Sequence, residues 1–394
     1  MMLRFFHRVD DPWSFLLAQL LPGLLDAYDI GLECITVPFP TLDFAPRPDL
    51  LTAHALRDAL DLARHCDLAF DGDGTPPDPA LAALAAARLL DVHAPAAYLA
   101  LAVRLGTALF RHDAASIRSL CHGVVPDPAR LLANQARQLR EGHFNTGMIG
   151  FGENWYWGVD RLAHLENDLL TAGRRRPGHS VGLLQRKPAR LDVPIASATL
   201  ELEYFCTFRS PYTYIGTART FDLARRYPIR LVPRLMLPMK MAGYVVPPMK
   251  SAYFRFDPAR EALRHGVRFG NFCDPFGAGL ERAMALVDHA RAVGRLEAYI
   301  LSVMQGVWAD GLDTATDAGL RLIAERAGLD WPKAEPHLAD QGWRNWAAEN
   351  RAVLETIGQY AAPTYRLADY VTWGQDRIWM LERQIRARLG LDAG

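Results

Sequence analysis

Apolar residues recur at helical spacing over residues 12–28 and again over 211–227, predicting one helix near the start of each half of the chain. Short strand-like runs precede these helices, at 3–9 and 200–208, and others follow them, at 31–37 and 229–235. Helical patterns then fill about 50–139 and 250–361. The Ala/Leu-rich run over 80–109 is broken by Arg88, Asp91, His93, Pro95 and Arg104, so it reads as packed helices and not as a membrane span. Each half closes on a hairpin-like stretch and a final helix led by Asp160 or Asp376. The order in both halves is β-α-β, a helical insertion, then β-β-α.

The halves also match residue by residue. Leu3-Arg4-Phe5-Phe6-His7-Arg8-Val9-Asp10-Asp11-Pro12-Trp13 lies over Leu202-Glu203-Tyr204-Phe205-Cys206-Thr207-Phe208-Arg209-Ser210-Pro211-Tyr212 at a constant offset of 199, Pro12 falling on Pro211. The same offset carries Tyr28 onto Tyr227 and Leu32 onto Leu231. Near the ends, Trp157-Gly158-Val159-Asp160-Arg161-Leu162 matches Trp373-Gly374-Gln375-Asp376-Arg377-Ile378 at an offset of 216, so the second half has the longer middle. Two copies of one domain are expected, at 1–170 and 200–394. The stretch 171–199, with Arg174–Arg176, Pro188 and Pro194, is rich in Pro, Gly and basic residues and is expected to be a linker. Its arginine run suits either a solvated segment or a phosphate contact.

Composition narrows the function. Half the residues are hydrophobic and 22% are charged, the profile of a soluble globular chain. Lys and Arg number 44 against 44 Asp and Glu, which leaves no global basic field for nucleic acid or an anionic membrane. Five scattered cysteines without a C-x-x-C pair argue against a disulfide framework, a zinc knuckle and a dithiol redox centre. No metal site is expected, because the histidines fall outside ligand spacing. Residues 1–8 lack a signal peptide's apolar core, so a cytoplasmic location is expected.

Three short stretches carry candidate chemistry. Ser210-Pro211 makes an ordinary helix start, and a helix N-terminus also stabilises an anion such as a thiolate. Ala362-Pro363-Thr364 is a loop proline before a strand, and a cis bond there would present backbone groups to a ligand. Gly374-Gln375-Asp376-Arg377 offers an Asp that caps a helix or holds a ligand's ammonium group.

These stretches, in order with Pro247-Pro248-Met249-Lys250-Ser251-Ala252-Tyr253, Asp257, Arg260, Val307-Trp308-Ala309-Asp310-Gly311 and Gly328-Leu329-Asp330, resemble one family. It is the 2-hydroxychromene-2-carboxylate isomerase and kappa-class glutathione transferase group of the DsbA-like thioredoxin superfamily. The resemblance spans residues 200–389 and implies an α/β fold of two tandem thioredoxin-like domains, each with a helical insertion. It also implies glutathione as cofactor, lying across the helix start and a cis-proline loop. By resemblance, Ser210 hydrogen-bonds the glutathione sulfur, Ala362 before Pro363 pairs with the tripeptide backbone, and Asp376 with Gln375 meets the γ-glutamyl end. Lys250 and Tyr253 match residues near the cleft. The redox branch would place its cysteines at Ser210 and Thr213, so dithiol chemistry is not expected.

The first half departs from this pattern. Asp11 stands at the serine position, where its charge would repel a thiolate, and Asn145-Thr146-Gly147-Met148 replaces the proline loop. That copy is expected to be degenerate, a structural or substrate-capping partner, making the chain a monomeric pseudo-dimer or half of a homodimer. The leading expectation is a glutathione-dependent isomerase or transferase acting on a small aromatic or electrophilic organic acid. The alternatives are a non-catalytic thioredoxin-like scaffold and, more remotely, an oxidoreductase using Cys206 alone.

Overall fold

The computed structural model describes residues 1–179, 182 and 200–391. The chain divides into two compact units, Met1–Lys187 and Pro188–Gly394.

In the first unit, β1 (Met2–His7) leads through α1 (Pro12–Ala27) to β2 (Gly31–Thr36). The middle is helical: α2 (Pro48–Cys66), α3 (Pro79–Leu90), α4 (Pro95–Phe110), α5 (Ala114–Leu120) and α6 (Pro128–Glu141). Then β3 (Met148–Phe151), β4 (Asn154–Trp157), a 3-10 turn (Val159–Arg161) and α7 (Leu162–Thr171) close the unit. The sheet order is β2-β1-β3-β4, parallel between β1 and β2 and antiparallel elsewhere.

The second unit repeats this with β5 (Leu200–Cys206), α8 (Pro211–Arg226) and β6 (Ile229–Leu235). Its insertion is α9 (Pro248–Arg264), α10 (Ala278–Ala285), α11 (Val287–Ala292), α12 (Leu296–Trp308), α13 (Asp317–Arg326), α14 (Trp331–Ala334) and α15 (Trp343–Thr356). It ends on β7 (Thr364–Leu367), β8 (Tyr370–Trp373), a 3-10 turn (Gln375–Arg377) and α16 (Ile378–Arg388). The sheet order β6-β5-β7-β8 is the first unit's order again.

Both sequence offsets reappear in the strand register. Leu3 faces Leu32 and Phe151, and Leu202 faces Leu231 and Leu367. The Tyr28 hydroxyl donates to Glu166, and the Tyr227 hydroxyl donates to Glu382. β1 and β5 are inner strands, and the parts of them that are buried on both faces are mostly apolar: Phe5 and Phe6 on β1, and Tyr204, Phe205 and Cys206 on β5. On β5, Tyr204 stacks on Tyr365 of β7 at 5.2 Å, and its hydroxyl is paired with Thr217 at 2.9 Å.

The boundaries differ from expectation in ways that have local causes. β1 and β5 stop at His7 and Cys206, because turns closed by Asp11 N to Arg8 O and Ser210 N to Thr207 O follow at once. Asp160 and Asp376 do not lead the final helices; they lie inside the 3-10 turns, and Arg161 and Arg377 take the N-cap positions. The segment expected to open the linker is tied to the first unit instead. Asp29 N donates to Arg174 O, Arg176 N donates to Ala27 O, and both arginines reach the Asp29 carboxylate. Residues 180–199 of that expected linker, apart from 182, lie outside the described residues. Among the described residues, no helix is long and apolar enough to cross a membrane.

Candidate functional site

Strand register gathers the second unit's candidate residues. Phe205 of β5 faces Thr364 of β7, and Thr364 faces Trp373 of β8. The turn into Ser210, the Ala362–Pro363 loop and the Gly374–Asp376 turn therefore leave the sheet at one end. The Gly374 N–H donates to the Pro363 carbonyl at 2.8 Å, joining two of these three segments. The Ala362–Pro363 peptide bond is cis.

Ser210 is the N-cap of α8. Its Oγ accepts from Thr213 N at 3.1 Å, with Pro211 at the first helical position. Since Oγ is the acceptor there, the hydroxyl hydrogen remains to be donated outward. The fully buried Thr213 Oγ1 has no hydrogen-bond partner among the described residues. The turn ahead of Ser210 is pinned by the insertion: Trp308 Nε1 donates to Phe208 O at 3.0 Å. Arg209 meets Asp274 with two bonds of 2.7 Å. Burial works to raise the Asp274 pKa, yet the Arg209 fork outweighs it and holds the carboxyl below the usual range.

Residues 201–386 match the family model of the DSBA-like thioredoxin domain. The chain is similar to the 2-hydroxychromene-2-carboxylate isomerase of Pseudomonas sp. (strain C18), 25% identical over 190 residues, which are 47% of this chain and 89% of that protein. It is also similar to the Sphingobium xenophagum protein of that name, 26% identical over 194 residues, 47% of this chain and 97% of the relative. A solved 2-hydroxychromene-2-carboxylate isomerase superposes with a TM-score of 0.43 at 23% identity, covering 49% of this chain and all of that one. The family model and the two sequence relatives support the DsbA-like thioredoxin superfamily over the second unit.

In the second unit, Gln375 was expected at a ligand, and its side chain has no exposed surface. Oε1 accepts from Arg219 at 2.6 Å, and Nε2 donates to Glu261 at 2.7 Å and to Asp376 at 2.5 Å. The amide links a cation on α8 to two carboxylates and orients the half-buried Asp376. Gly216 on α8 permits this approach, since a Cβ there would stand 3.1 Å from the Gln375 Cβ. Lys250 and Tyr253 are both buried on α9, and Lys250 lies over the Phe254 ring at 5.8 Å. Burial alone brings the Lys250 ammonium down to about 8.

Some residues of the site were not singled out from sequence. Tyr212, two residues after Ser210, donates to the fully buried Asp257 at 2.7 Å, and Asp257 pairs with Arg260. The first unit holds the counterpart, since Trp13 Nε1 donates to the buried Asp58 at 2.8 Å. Continuing the 199-residue offset onto the next helix would have exposed this, because it carries Asp58 onto Asp257. Near Asp274, the Arg209 and Lys240 cations both lie over Phe276, and Arg255 lies over Phe272. Cys206 is fully buried in β5 and its thiol is pushed well up by that burial, which leaves it without thiolate character near neutral pH.

The first unit's helix start is closed from within. The Asp11 carboxylate accepts from Ser14 N at 3.1 Å, from Ser14 Oγ at 2.6 Å and from Thr146 Oγ1 at 3.0 Å. Gly147 takes the Pro363 position with φ +62, and a Cβ there would stand 3.3 Å from Asp11 Oδ2.

Proposed function

We propose that the second unit binds glutathione across the N-terminus of α8 and the Ala362–Pro363 loop, and that it catalyses isomerisation or conjugation of an aromatic or otherwise electrophilic organic acid. The observation that carries this reading is Ser210: its Oγ is an acceptor toward Thr213 N, so its hydrogen is available to a sulfur at the positive end of the helix. Curated relatives of this half being 2-hydroxychromene-2-carboxylate isomerases supports the isomerase side of the reading.

When bound, glutathione would supply a nucleophilic thiolate toward an electrophilic carbon of the substrate. Ser210 donates to the sulfur and favours its ionised form. Asp376, held by Gln375, receives the γ-glutamyl ammonium group, which makes Gln375 a positioning residue. The Ala362 backbone pairs with the tripeptide, while Lys250 and Tyr253 line the cleft. Arg209, Lys240 and Arg255 outnumber Asp274 and favour an anionic substrate, and Phe272 and Phe276 offer ring faces to an aromatic one.

The first unit would be a non-catalytic copy arising from tandem duplication. The shared register supports duplication, and the internally satisfied Asp11 supports loss of thiol binding. Calorimetric titration of the full chain with glutathione tests the whole reading. Binding that weakens in Ser210→Ala and disappears in Ser210→Asp is expected; absence of heat at millimolar glutathione overturns it.

A further inference from the structure

A cavity of about 190 Å³ lies in the first unit, beyond the C-terminal ends of β1 and β2. That is the end of an α/β sheet at which ligands are received. Val37, Phe39, Ala82 and Ala86 give it apolar walls, and Arg8 and Asp10 bring charge to it. Arg8 is only 6% exposed, an uncommon state for an arginine. Its guanidinium rests on the Phe39 ring at 4.5 Å and is held by Asp10, with Nε donating to Oδ1 at 2.9 Å. Nη2 points at the Asp10 carbonyl at 3.4 Å. Nη1 has no hydrogen-bond partner among the described residues. A buried cation fixed on two sides and left with one unused donor group is preorganised for an anion.

We propose that this cavity is a second ligand site, which takes a small monocarboxylate with a single ring or a branched apolar body. One carboxylate oxygen accepts from Arg8 Nη1, and the apolar body fills the space between Phe39 and α3. An enclosed cavity of roughly 150 Å³ admits benzene, so the volume here accommodates one ring. Asp10 opposes each added negative charge, so a monoanion paired to the free Arg8 donor is disfavoured less than a dianion. The neighbouring Asp11 does not line the cavity, and Ser14 and Thr146 hold its Oδ2. This site is independent of the glutathione reading.

The test is a titration of the full chain with sodium benzoate, followed by methyl NMR at Val37, Ala82 and Ala86. Saturable shifts are expected at these methyls, with benzamide and phthalate each binding about tenfold more weakly or worse. Arg8→Met, which removes the donor, and Ala83→Leu, which fills the cavity from a half-buried position, should each weaken benzoate by a similar factor. Ser210→Asp should leave the shifts unchanged, separating this site from the second unit. Unsaturable shifts, benzamide matching benzoate, or wild-type affinity in both Arg8→Met and Ala83→Leu would overturn the proposal.

Discussion

Replacing Ser210 separates two contributions that share one oxygen. As N-cap, Oγ accepts from Thr213 N at 3.1 Å, and losing such a cap costs about 1 kcal/mol. For a unit of this size that corresponds to a fall in Tm of about 2–4 °C. As donor to a bound thiolate, the hydroxyl contributes about 1.5–3 kcal/mol, the range for hydrogen bonds to charged groups. At 1.36 kcal/mol per pKa unit, the bound thiol is depressed by about 1–2 units from a free value near 8.5. Glutathione affinity should then rise with pH from the bound pKa up to the free one and flatten above it, because the protein prefers the ionised form. Ser210→Ala should lose most of that rise along with the cap. Ser210→Asp keeps the cap, as Asp11 does in the first unit by accepting Ser14 N at 3.1 Å, but sets a negative charge against the sulfur. It should melt close to wild type and bind glutathione far more weakly. The assay is ultraviolet thiolate absorbance of bound glutathione against pH, paired with calorimetry. An unchanged thiolate pKa in Ser210→Ala, or tight binding by Ser210→Asp, refutes the reasoning.

Gln375→Leu keeps the volume but strips Arg219 and the buried Glu261 of their shared amide; urea denaturation should show a loss of about 2–3 kcal/mol, and KM for glutathione should rise more than kcat falls. Tyr28→Phe and Tyr227→Phe remove equivalent bonds to Glu166 and Glu382, so each should destabilise its own unit by about 1.5–3 kcal/mol, and a neutral result at one of them breaks the equivalence. Burial lowers the Lys250 ammonium to about 8 from 10.5, so the unfolded chain holds that proton more tightly. Stability should therefore climb as pH rises from about 8 toward 10.5, and Lys250→Met should flatten that climb in denaturation curves collected across the range.

Much of the architecture was legible because it rests on short-range patterning. Helix starts at Pro12 and Pro211 follow from an N-cap residue and a proline at N1, which are chain-local rules. The offsets of 199 and 216 were legible because equivalent positions in the two units meet equivalent surroundings, and the Leu3–Leu32 and Leu202–Leu231 pairs are the outcome. Segment ends were less legible. Strands β1 and β5 stop where a backbone turn takes over the hydrogen bonding, and apolar character continues past that point into Val9 and Phe208.

The site divides along the same line. The sequence alone determined that Ser210, Pro363 and Asp376 stand in motifs, that no cysteine occupies the Ser210 or Thr213 position, and that Asp11 replaces the serine in the first half. Only the tertiary structure decided what each neighbour does. Gln375 proved to be wholly enclosed between Arg219, Glu261 and Asp376, and Tyr212 proved to be anchored on Asp257. Arg8 proved to be buried at the edge of a cavity. Arg219, Glu261 and Asp257 lie on other elements, far along the chain from Gln375 and Tyr212, so these contacts depend on packing that local patterning does not encode.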